Sequence, residues 1–579
     1  MSQQVLRGLA ASSGIAVGSV LVVRDVEPEA ANGAGGGAAE RDRARAALAQ
    51  VAEELGRLTE AALAGGRGEE AEILAANRLM AEDPALLAEV EQLTENAPAS
   101  IAVAQATERH ASLLAALEDP YLAARAADIR QLGRRAARIL LGAPTIPQPE
   151  QPSIVLARDL GPADVAELEL AEGRILGIAL AEGAATSHVA IMARALGLPL
   201  VVALGHELLQ AGDAETVVLD GDNGVAVLSP TSMVRERAER AVESQRRERQ
   251  ELAATRGLPS VTTDGHPVRL LCNAVTASEI EAGLDAGADG VGLLRTELAF
   301  LEAPQWPSLE EHLQVLEPAL AVLDGRTATV RTLDFGADKT PPFLEGIEER
   351  GLALALAQPS TFLEQVCAIL RAGRETQLRI MVPLVESASQ FETARSLLDE
   401  ALFEVDWSGP PPQLGAMIET PEAAEQAGEI AAVADFLSIG TNDLVQYTLG
   451  LDRELPLATA QAAADPAVLG LIVRVADAAH AHGRTVEVCG EAAGELPVAV
   501  LLIGAGIDEL SVSPARIDAL RGVVRSISAR DAAEAVKSAL AAKSAAGAVD
   551  VARELLRSTE AAEAATNVDS DRSRRGSVV

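Results

Sequence analysis

The chain has 579 residues, of which 48% are hydrophobic and 2% aromatic, and it carries 85 acidic against 48 basic side chains, a net charge of −37. This length predicts two to four domains. The negative charge disfavours nucleic acid and anionic membranes as partners and favours a basic protein, unless it serves solubility alone. Three scattered cysteines and the lack of a secretory signal or a long apolar run predict a cytoplasmic protein without membrane insertion.

The N-terminal part of the sequence predicts an α/β domain interrupted by helices. A strand is predicted at IAVGSVLVV (15–23), and residues 37–142 have helical composition, with breaks at 64–68, Pro84, Pro98 and Pro120 that suggest about four helices. Short β-rich runs resume after residue 150. We therefore expect one domain from residues 1–36 and 143–229, a helical insertion at 37–142 and a charged linker helix at 230–257.

From residue 258 onward the pattern becomes regular. Eight short β-rich runs, nearly all separated by helix-compatible segments, are typical of a (β/α)8 TIM barrel, which we place at residues 258–545. The runs are PVRLLC, DGVGLL, TATVRT, LRIMVP, QLGAMIE, DFLSIG, TVEVCG and IDELSV. Residues 546–579 are predicted to be a disordered tail. The fold class is thus an α/β multidomain protein with a C-terminal barrel.

Polar residues stand where the predicted barrel strands end, which is where such barrels place their active sites. These residues are Asn273, Arg295, Arg331, Glu419, Asn442, Asp443 and Cys489, with Arg453 in the loop after the sixth strand. Several guanidiniums on one rim predict a small polyanionic ligand. Two carboxylates suit Mg²⁺ completed by substrate oxygens, and a thiol at this rim could move a proton at carbon.

A histidine in the N-terminal part is a second candidate. His188 lies in TSHVAIMARALGLP, where a turn leads into a helix, so backbone N–H groups and the positive end of the helix dipole could stabilise a phosphoryl group there. Thr186, Ser187 and Arg194 add donors. The alternative is that Ser187 only caps the helix and His188 is ordinary surface.

The motifs together resemble enzyme I of the phosphoenolpyruvate-dependent sugar phosphotransferase system. GAATSHVAIMARALGLPLVV resembles the phosphohistidine signature of that family. The barrel motifs follow in the family's order: DGVGLLRTELAF, VRTLDFGADK, AMIETPEAA, DFLSIGTNDLVQYTLGLDR and VEVCGEAAG. Two upstream stretches, DPYLAARAADIRQLGRR and LARDLGPAD, also match, so the resemblance covers nearly the whole chain.

The resemblance implies a role for each matching position. His188 would carry the phosphoryl group and Cys489 would protonate the enolate as pyruvate forms. Glu419 and Asp443 would bind Mg²⁺. The residues that would hold phosphoenolpyruvate are Arg295, Arg331, Asn442 and Arg453, with Lys339 nearby.

The resemblance also implies a phosphocarrier partner and a dimer. The helical insertion would bind an HPr-like carrier, with Glu82 and Asp83 as candidate contacts. The barrel would form a homodimer, and the charged helix at 230–256 would act as a hinge that lets the His188 domain move between barrel and carrier.

The chain departs from the family pattern at several positions. Ala184 replaces the second glycine before TSH, and Asn77 stands where the family often has histidine. The loop after GADK reads PPFLEGIEERGLALAL, in which Arg350 can stand for the first arginine of the family's segment and Ala353 replaces the second. The motif at Arg453 keeps its arginine and loses an asparagine.

Two other functions are compatible with these motifs. A pyruvate phosphate dikinase or phosphoenolpyruvate synthase would need a nucleotide-binding domain before His188, where only about 185 residues stand. A catalytically weakened regulatory protein on the same scaffold would explain the altered 340–353 loop, although His188, the carboxylates and Cys489 are all present.

Overall fold

The structure is a computed structural model. It describes residues 3–24, 36–64, 68–115, 120–143, 149, 151–169, 174–184, 187–212, 215–301, 303–335, 341–344, 346–347, 349–451 and 460–559. The chain divides into two compact units, residues 1–248 and 249–579.

The first unit contains an eight-stranded mixed sheet in the order β1-β8-β7-β3-β4-β5-β6-β2. Its strands are β1 (Gln4–Arg7), β2 (Leu9–Ser12), β3 (Ile15–Val23), β4 (Ser153–Ala157), β5 (Ile175–Leu180), β6 (Leu200–Val202), β7 (Thr216–Asp220) and β8 (Val225–Leu228). The predicted strands are present, and β1 and β2 were missed. Both missed strands have four residues and pair antiparallel at the two edges of the sheet. An edge strand is not covered on both sides, so it need not have the continuous apolar run by which the central strands were predicted.

Helices interrupt the sheet of the first unit between β3 and β4. They are α1 (Ala38–Ala64), α2 (Gly68–Ala81), α3 (Pro84–Leu93), α4 (Ala99–Ala115) and α5 (Pro120–Leu141). The prediction of about four helices was wrong, because each of the four breaks separates two helices. Pro84 begins α3 at a first-turn position, where proline is favoured, and Asp83 caps that helix.

Two short helices follow within the sheet region, and a long charged helix follows β8. These are α6 (Pro162–Glu169), α7 (His188–Ala195) and α8 (Ser232–Ala254). Along α8 the pairs Arg235–Glu239 and Arg247–Glu243 lie four residues apart at 3.5 and 3.0 Å, as expected for a helix with a solvated surface.

The second unit is a closed barrel of eight parallel strands, which confirms the predicted TIM barrel. Its strands are β9 (Arg269–Ala274), β10 (Gly290–Leu294), β11 (Thr327–Arg331), β12 (Gln377–Val382), β13 (Gln413–Ile418), β14 (Phe436–Ile439), β15 (Thr485–Val488) and β16 (Glu509–Val512). Each of the eight predicted runs contains one of these strands.

Helices surround the barrel and bury its outer face. They are α9 (Ala277–Asp285), α10 (Leu309–Ala321), α11 (Gly351–Ala357), α12 (Pro359–Ala372), α13 (Ala388–Glu404), α14 (Pro421–Glu425), α15 (Ala427–Val433), α16 (Thr441–Leu449), α17 (Pro466–Ala481), α18 (Leu496–Gly504), α19 (Ile517–Ser526) and α20 (Ala529–Leu540). A smaller apolar cluster of Leu293, Met381, Met417, Phe436 and Cys489 lies apart from the main core.

Helical structure continues beyond α20, over residues 545–559. This extends past residue 546, where we expected disorder to begin, because Ala548, Val549 and Ala552 form an apolar stripe that is buried in the barrel's core cluster. Residues 560–579 of the predicted tail lie outside the described residues.

Among the described residues, no single helix is both long and apolar enough to cross a membrane. One pair of helices, α11 and α12, reaches that length and composition only when taken together, across a bend of 110°.

Candidate active site

The closed parallel barrel places the carboxyl ends of its strands at one mouth. Arg331 ends β11, Glu419 follows β13, and Cys489 follows β15. Asp443 lies in the first turn of α16, directly after β14. The electrostatic field of Glu419 and that of Arg331 act on the Cys489 thiol, so these sequence-predicted residues share one site.

Arg331 is held by two carboxylates in this mouth. Its Nη2 donates to Glu297 Oε1 at 2.6 Å, and its Nη1 lies 3.6 Å from Asp334 Oδ2. Burial alone would lower the pKa of Arg331, but the charges of Glu297, Asp334 and Glu419 outweigh it and raise that pKa. Nε of Arg331 is buried and has no hydrogen-bond partner among the described residues, which is unusual for a buried donor.

Negative charge is concentrated next to Arg331. Glu419 is 3% exposed and Asp443 is 5% exposed. Burial, then the charges of Asp334 and Asp443, raise the pKa of Glu419 to about 8. Burial also raises the pKa of Asp334, against the opposing charges of Arg331 and Arg350. A cation bound beside carboxylates that raise one another's pKa would stabilise their ionised forms.

The altered 340–353 loop still contributes a guanidinium to the mouth. Arg350 Nη2 lies 3.7 Å from Asp334 Oδ1, and Arg350 Nε donates to the carbonyl oxygen of Phe335 at 3.2 Å. Arg350 therefore lies on the opposite side of Asp334 from Arg331. Ala353 lies in α11 with a partly exposed methyl group, so it brings no charge to this place.

Three further rim residues are placed by the strand ends. Arg295 directly follows β10, is half-buried, and makes no side-chain hydrogen bond or ion pair within the part of the chain that the structure describes. Asn442 Oδ1 accepts from the backbone N–H of Glu491 at 3.1 Å, which ties the loop after β14 to the loop after β15. Asn273 Nδ2 donates to the carbonyl oxygen of Cys489 at 2.9 Å and so serves as a backbone support.

The Cys489 side chain is buried, and a serine hydroxyl lies next to its sulfur. It is 3% exposed, and its Sγ lies 3.3 Å from Ser438 Oγ. Burial, then the charge of Glu487, raise the pKa of Cys489 to about 12, so the side chain is a thiol at neutral pH. A thiol can donate a proton, whereas a nucleophilic cysteine would need a lowered pKa.

Two glycines, Gly440 and Gly490, pack closely in the loops next to the candidate metal ligands. A Cβ at Gly440 would lie 2.6 Å from both Cγ and Oε1 of Glu419. A Cβ at Gly490 would lie 2.8 Å from the backbone N of Thr441. The backbone N–H of Leu384 also donates to Glu419 Oε2 at 2.8 Å. The Glu419 carboxylate is therefore oriented by backbone on two sides.

Sequence reasoning missed Glu297, Asp334, Ser438 and Gly440 as site residues. Glu297 and Asp334 follow the strand-end arginines by two and three positions, and this spacing was the signal that could have found them. Lys339, Arg453 and Thr186, which the sequence singled out, lie outside the described residues.

The structure places the backbone of His188 and not its side chain. His188 is the first residue of α7, and Ser187 is the N-cap, with its Oγ accepting from the backbone N–H of Ala190 at 3.3 Å. The capping role considered for Ser187 is therefore present, and it is compatible with a phosphoryl group at the same helix terminus. Arg194 Nη1 donates to the carbonyl oxygen of Ala11 at 2.9 Å, so this arginine supports the fold.

The donor set fits a divalent cation held largely by its substrate. Within the described ranges, no group of three or more His, Cys, Asp or Glu side chains has the arrangement of a preformed metal centre. Buried Glu419 and Asp443 supply hard oxygen ligands, and Asp334 Oδ1 is buried without a hydrogen bond to any described residue. Mg²⁺ commonly takes one or two carboxylates and fills its remaining positions with substrate oxygens and water.

Comparison with protein-family models assigns three consecutive parts of the chain. Residues 7–125 match the N-terminal domain of phosphoenolpyruvate-utilising enzymes, residues 149–224 their mobile domain, and residues 249–529 their phosphoenolpyruvate-binding domain. The fold and the site thus define a phosphoenolpyruvate-utilising class of protein.

Relatives narrow this class. The phosphoenolpyruvate-protein phosphotransferase of Staphylococcus carnosus is 33% identical over 96% of this chain and 99% of its own length. The multiphosphoryl transfer protein of Xanthomonas campestris is 38% identical over 90% of this chain, and that of Rhodobacter capsulatus is 37% identical over 82% of it. The chain spans 64% and 58% of those two longer proteins. The chain belongs to the phosphoenolpyruvate-protein phosphotransferase family.

Proposed function

We propose that this protein transfers the phosphoryl group of phosphoenolpyruvate to its own His188 and then to a histidine of an HPr-like carrier, releasing pyruvate. The observation that carries the proposal is the barrel mouth, where guanidiniums, buried carboxylates and a protonated thiol meet. Family membership over nearly the whole chain supports the same reaction.

Phosphoenolpyruvate carries a phosphate and a carboxylate, and the mouth offers guanidiniums for both. Arg295 has no partner among the described residues, and Arg331 presents an unpaired Nε. Arg350, linked to Asp334, keeps a third guanidinium close by, in the loop that departs from the family pattern. This contact weighs against the reading of the chain as a weakened regulatory protein. We further propose that Asn442, Arg453 and Lys339 complete substrate binding.

Glu419 and Asp443 are the proposed ligands of Mg²⁺. When bound, the ion would supply positive charge next to the developing enolate oxygen. The residues themselves do the positioning: the Leu384 N–H and the closely packed Gly440 hold the Glu419 carboxylate in one orientation. Binding the cation would also lower the high pKa of Glu419 and ionise it.

Cys489 is the proposed acid. As the P–O bond breaks, the enolate of pyruvate forms and its C3 carbon needs a proton. The thiol of Cys489 is protonated at neutral pH, because burial above all raises its pKa to about 12. The apolar cluster around Sγ excludes water, so the proton has one source at this side of the mouth.

The proposed carrier site lies on the helical insertion, residues 37–142. Three large apolar side chains are exposed there, Leu113 on α4 (68% exposed), Leu79 on α2 (53% exposed) and Leu141 on α5 (43% exposed). Leu113 lines a surface depression with Glu89 and Glu108, each of which is paired with an arginine. Exposed leucines among charged side chains suit contact with a carrier protein.

The two sequence-predicted contacts on this insertion have local partners. Asp83 caps α3 by accepting from the backbone N–H of Ala85 at 2.8 Å. Glu82 lies 3.5 Å from Arg78 in an exposed ion pair, so of the two residues Glu82 is the better candidate for carrier contact. The homodimer through the barrel remains a prediction, which the mass of the protein in solution would test.

Radiolabelled phosphoenolpyruvate tests the proposed function. With Mg²⁺ the full chain should gain an acid-labile, base-stable phosphate that His188→Ala abolishes. Labelling that persists in the variant would contradict the assignment of His188. Wild-type protein that neither gains label nor releases pyruvate would contradict the function itself.

A further inference from the structure

A line of polar side chains crosses the interior of the barrel beneath Cys489. Strand register pairs Ser438 of β14 with Glu487 of β15, Glu487 with Glu509 of β16, and Glu509 with Arg269 of β9. Four adjacent strands therefore place these residues at one level. Cys489 follows Glu487 by two positions, so the two share the interior face of their strand, because side chains alternate with a period of two.

Hydrogen bonds connect this line to the thiol. Ser438 Oγ lies 2.9 Å from Glu487 Oε1 and 3.3 Å from Cys489 Sγ. The serine has one hydroxyl proton for these two contacts. The second contact needs a proton from its other partner, which is either Glu487 O–H or Cys489 S–H. The geometry is therefore that of a chain in which protons can shift in either direction.

The two glutamates of the line differ in charge. Burial would raise the pKa of Glu509, but the hydrogen bonds and charge of Arg379, then of Arg269, outweigh it and lower that pKa. Arg379 Nη1 and Arg269 Nη1 each donate to Glu509 at 2.6 Å. Glu487 is 0% exposed, and among the described residues its Oε2 has no hydrogen-bond partner other than the neighbouring carboxylate of Glu509. Burial, then the charge of Glu509, raise the pKa of Glu487 to about 8, so this carboxyl is protonated at neutral pH.

The surroundings of Cys489 make such a proton source necessary. Once the thiol has given its proton to C3, a thiolate remains in a position that is 3% exposed and lined by Leu293, Met381, Met417 and Phe436. Burial and the carboxylate of Glu419 disfavour this thiolate, and the Ser438 hydroxyl and the charge of Arg331 offset that only in part. Ser438 is the one described side chain recorded in hydrogen-bond contact with Sγ.

We propose that Glu487, acting through Ser438, returns a proton to Cys489 after each protonation of the enolate. This inference rests on the proposed function. The S–H bond of Cys489 breaks as the C3–H bond forms, and the electron pair stays on sulfur. Ser438 O–H then gives its proton to the thiolate, and Glu487 O–H gives its proton to Ser438. The resulting Glu487 carboxylate takes a proton from water before the next turnover.

The line meets solvent at its end opposite Cys489. Arg269 is the member that lies there, with 37% of its side chain exposed. Its Nη2 donates to Thr327 Oγ1 at 2.8 Å. The guanidinium keeps its own protons, so Arg269 marks where water approaches the line and does not itself carry the proton. Ser438 and Glu487 act through Cys489 and are positioning residues.

Quench-flow measurement of pyruvate tests the relay. The full chain is mixed with phosphoenolpyruvate, Mg²⁺ and excess HPr-type carrier. The wild type should release pyruvate linearly. Glu487→Gln keeps the shape of the side chain but has no carboxyl proton to give to Ser438. Its first turnover uses the proton already on Cys489. We therefore expect a burst of one pyruvate per site, followed by a steady rate reduced roughly tenfold or more. Ser438→Ala should behave alike, and KM for phosphoenolpyruvate should fall together with the steady rate in both variants, because a step after consumption of the substrate then limits turnover.

Ser511→Ala is the matched control. Ser511 is 0% exposed, as Ser438 is, and its Oγ donates to Asn273 at 2.6 Å and not to the thiol. Its time course should remain linear. Linear release by Glu487→Gln at the wild-type rate would overturn the relay and leave the proposed function standing. Slow release without a burst in both relay variants would also overturn it, since that result indicates structural damage. Absence of pyruvate and of phosphohistidine in the wild type would overturn the proposed function, and the relay with it.

Discussion

The barrel and the N-terminal unit hold their candidate reactive groups in contrasting ways. In the barrel, Cys489 and Glu419 are buried, and backbone and neighbouring side chains fix their orientation. In the N-terminal unit, His188 opens an eight-residue helix next to its N-cap. Enolate protonation requires a dry, preorganised site, whereas a phosphoryl-carrying histidine must be reached by two partners. The comparison predicts that substitutions in the barrel and in the first unit affect separate half-reactions.

Loss of the thiol should have the largest effect and should be confined to the barrel. Cys489→Ala removes the proposed acid, so pyruvate release should fall by about 10²–10⁴-fold. Exchange of phosphate between His188 and a phosphorylated carrier should continue. Stopped assays of pyruvate and of carrier phosphate measure the two reactions separately.

Cys367→Ala is the control for loss of a buried thiol. Cys367 is 3% exposed, lies in α12 and has a raised pKa of about 11, without contact to the mouth. If Cys489→Ala retained normal pyruvate release, the thiol would have only a packing role.

Gly440→Ala should break the orientation of a metal ligand. The added Cβ would lie 2.6 Å from Glu419 Oε1 and would push the carboxylate aside. We expect the apparent Mg²⁺ affinity to fall about 10–100-fold, as for other changes that disturb ligand orientation. Activity titrated with Mg²⁺ gives this value.

Gly428→Ala provides the contrast to that variant. Gly428 lies in α15, and an added Cβ there meets nothing within 4 Å. It should leave Mg²⁺ affinity unchanged and stabilise the helix by about 0.5–1 kcal/mol. Equal Mg²⁺ affinity in the two glycine variants would contradict the assigned role of Gly440.

The strand ends were predictable from the sequence, and much of the site follows from them. Polar residues lie at or next to the ends of several β-rich runs, which was enough to find Arg331, Glu419 and Cys489. The ion pair of Arg331 with Glu297 depends on the path of a loop, which periodicity does not specify. The contact between Ser438 and Glu487 depends on register between strands that lie 49 positions apart. The side-chain environment of His188, Arg453 and Lys339 stays a prediction.

A change on the helical insertion should affect only carrier transfer. Replacing both Leu79 and Leu113 by Gln removes the two most exposed apolar side chains of the insertion. We expect KM for the carrier to rise about 5–30-fold, which corresponds to 1–2 kcal/mol. Carrier-free phosphorylation of His188 should be unchanged. Exposed Met233, on α8, is the control position, and Met233→Gln should leave both reactions as they are. A slower carrier-free step in the double variant would show that the two half-reactions are not separate.

A last effect concerns the stability of the barrel against pH and not its activity. The pKa of Glu487 is raised to about 8 in the fold, above its usual value near 4.5, so the folded state binds a proton that the unfolded state releases between those values. Stability from this group is therefore complete below pH 4.5 and is lost as pH rises towards 8. The unfolding free energy of the wild type should therefore fall with rising pH more steeply than that of Glu487→Gln. The difference between the two slopes should reach up to about 1.4 kcal/mol per pH unit.

Tryptophan fluorescence during denaturant unfolding follows this effect in the barrel alone, because both tryptophans, Trp306 and Trp407, lie in the second unit. Exposed Glu534→Gln is the control and should keep the wild-type slope. A wild-type slope in Glu487→Gln would mean that Glu487 is ionised in the folded protein.

The most direct test of the account counts both products of one turnover. The protein is mixed with phosphoenolpyruvate and Mg²⁺ without carrier, and the reaction is quenched. Pyruvate is then measured, and the phosphorylated peptide is identified by mass spectrometry at alkaline pH, at which the phosphate is stable. We expect one pyruvate for each phosphate on His188, and neither product above background in His188→Ala. Pyruvate released by His188→Ala at the wild-type rate, or phosphate on another residue, would contradict it.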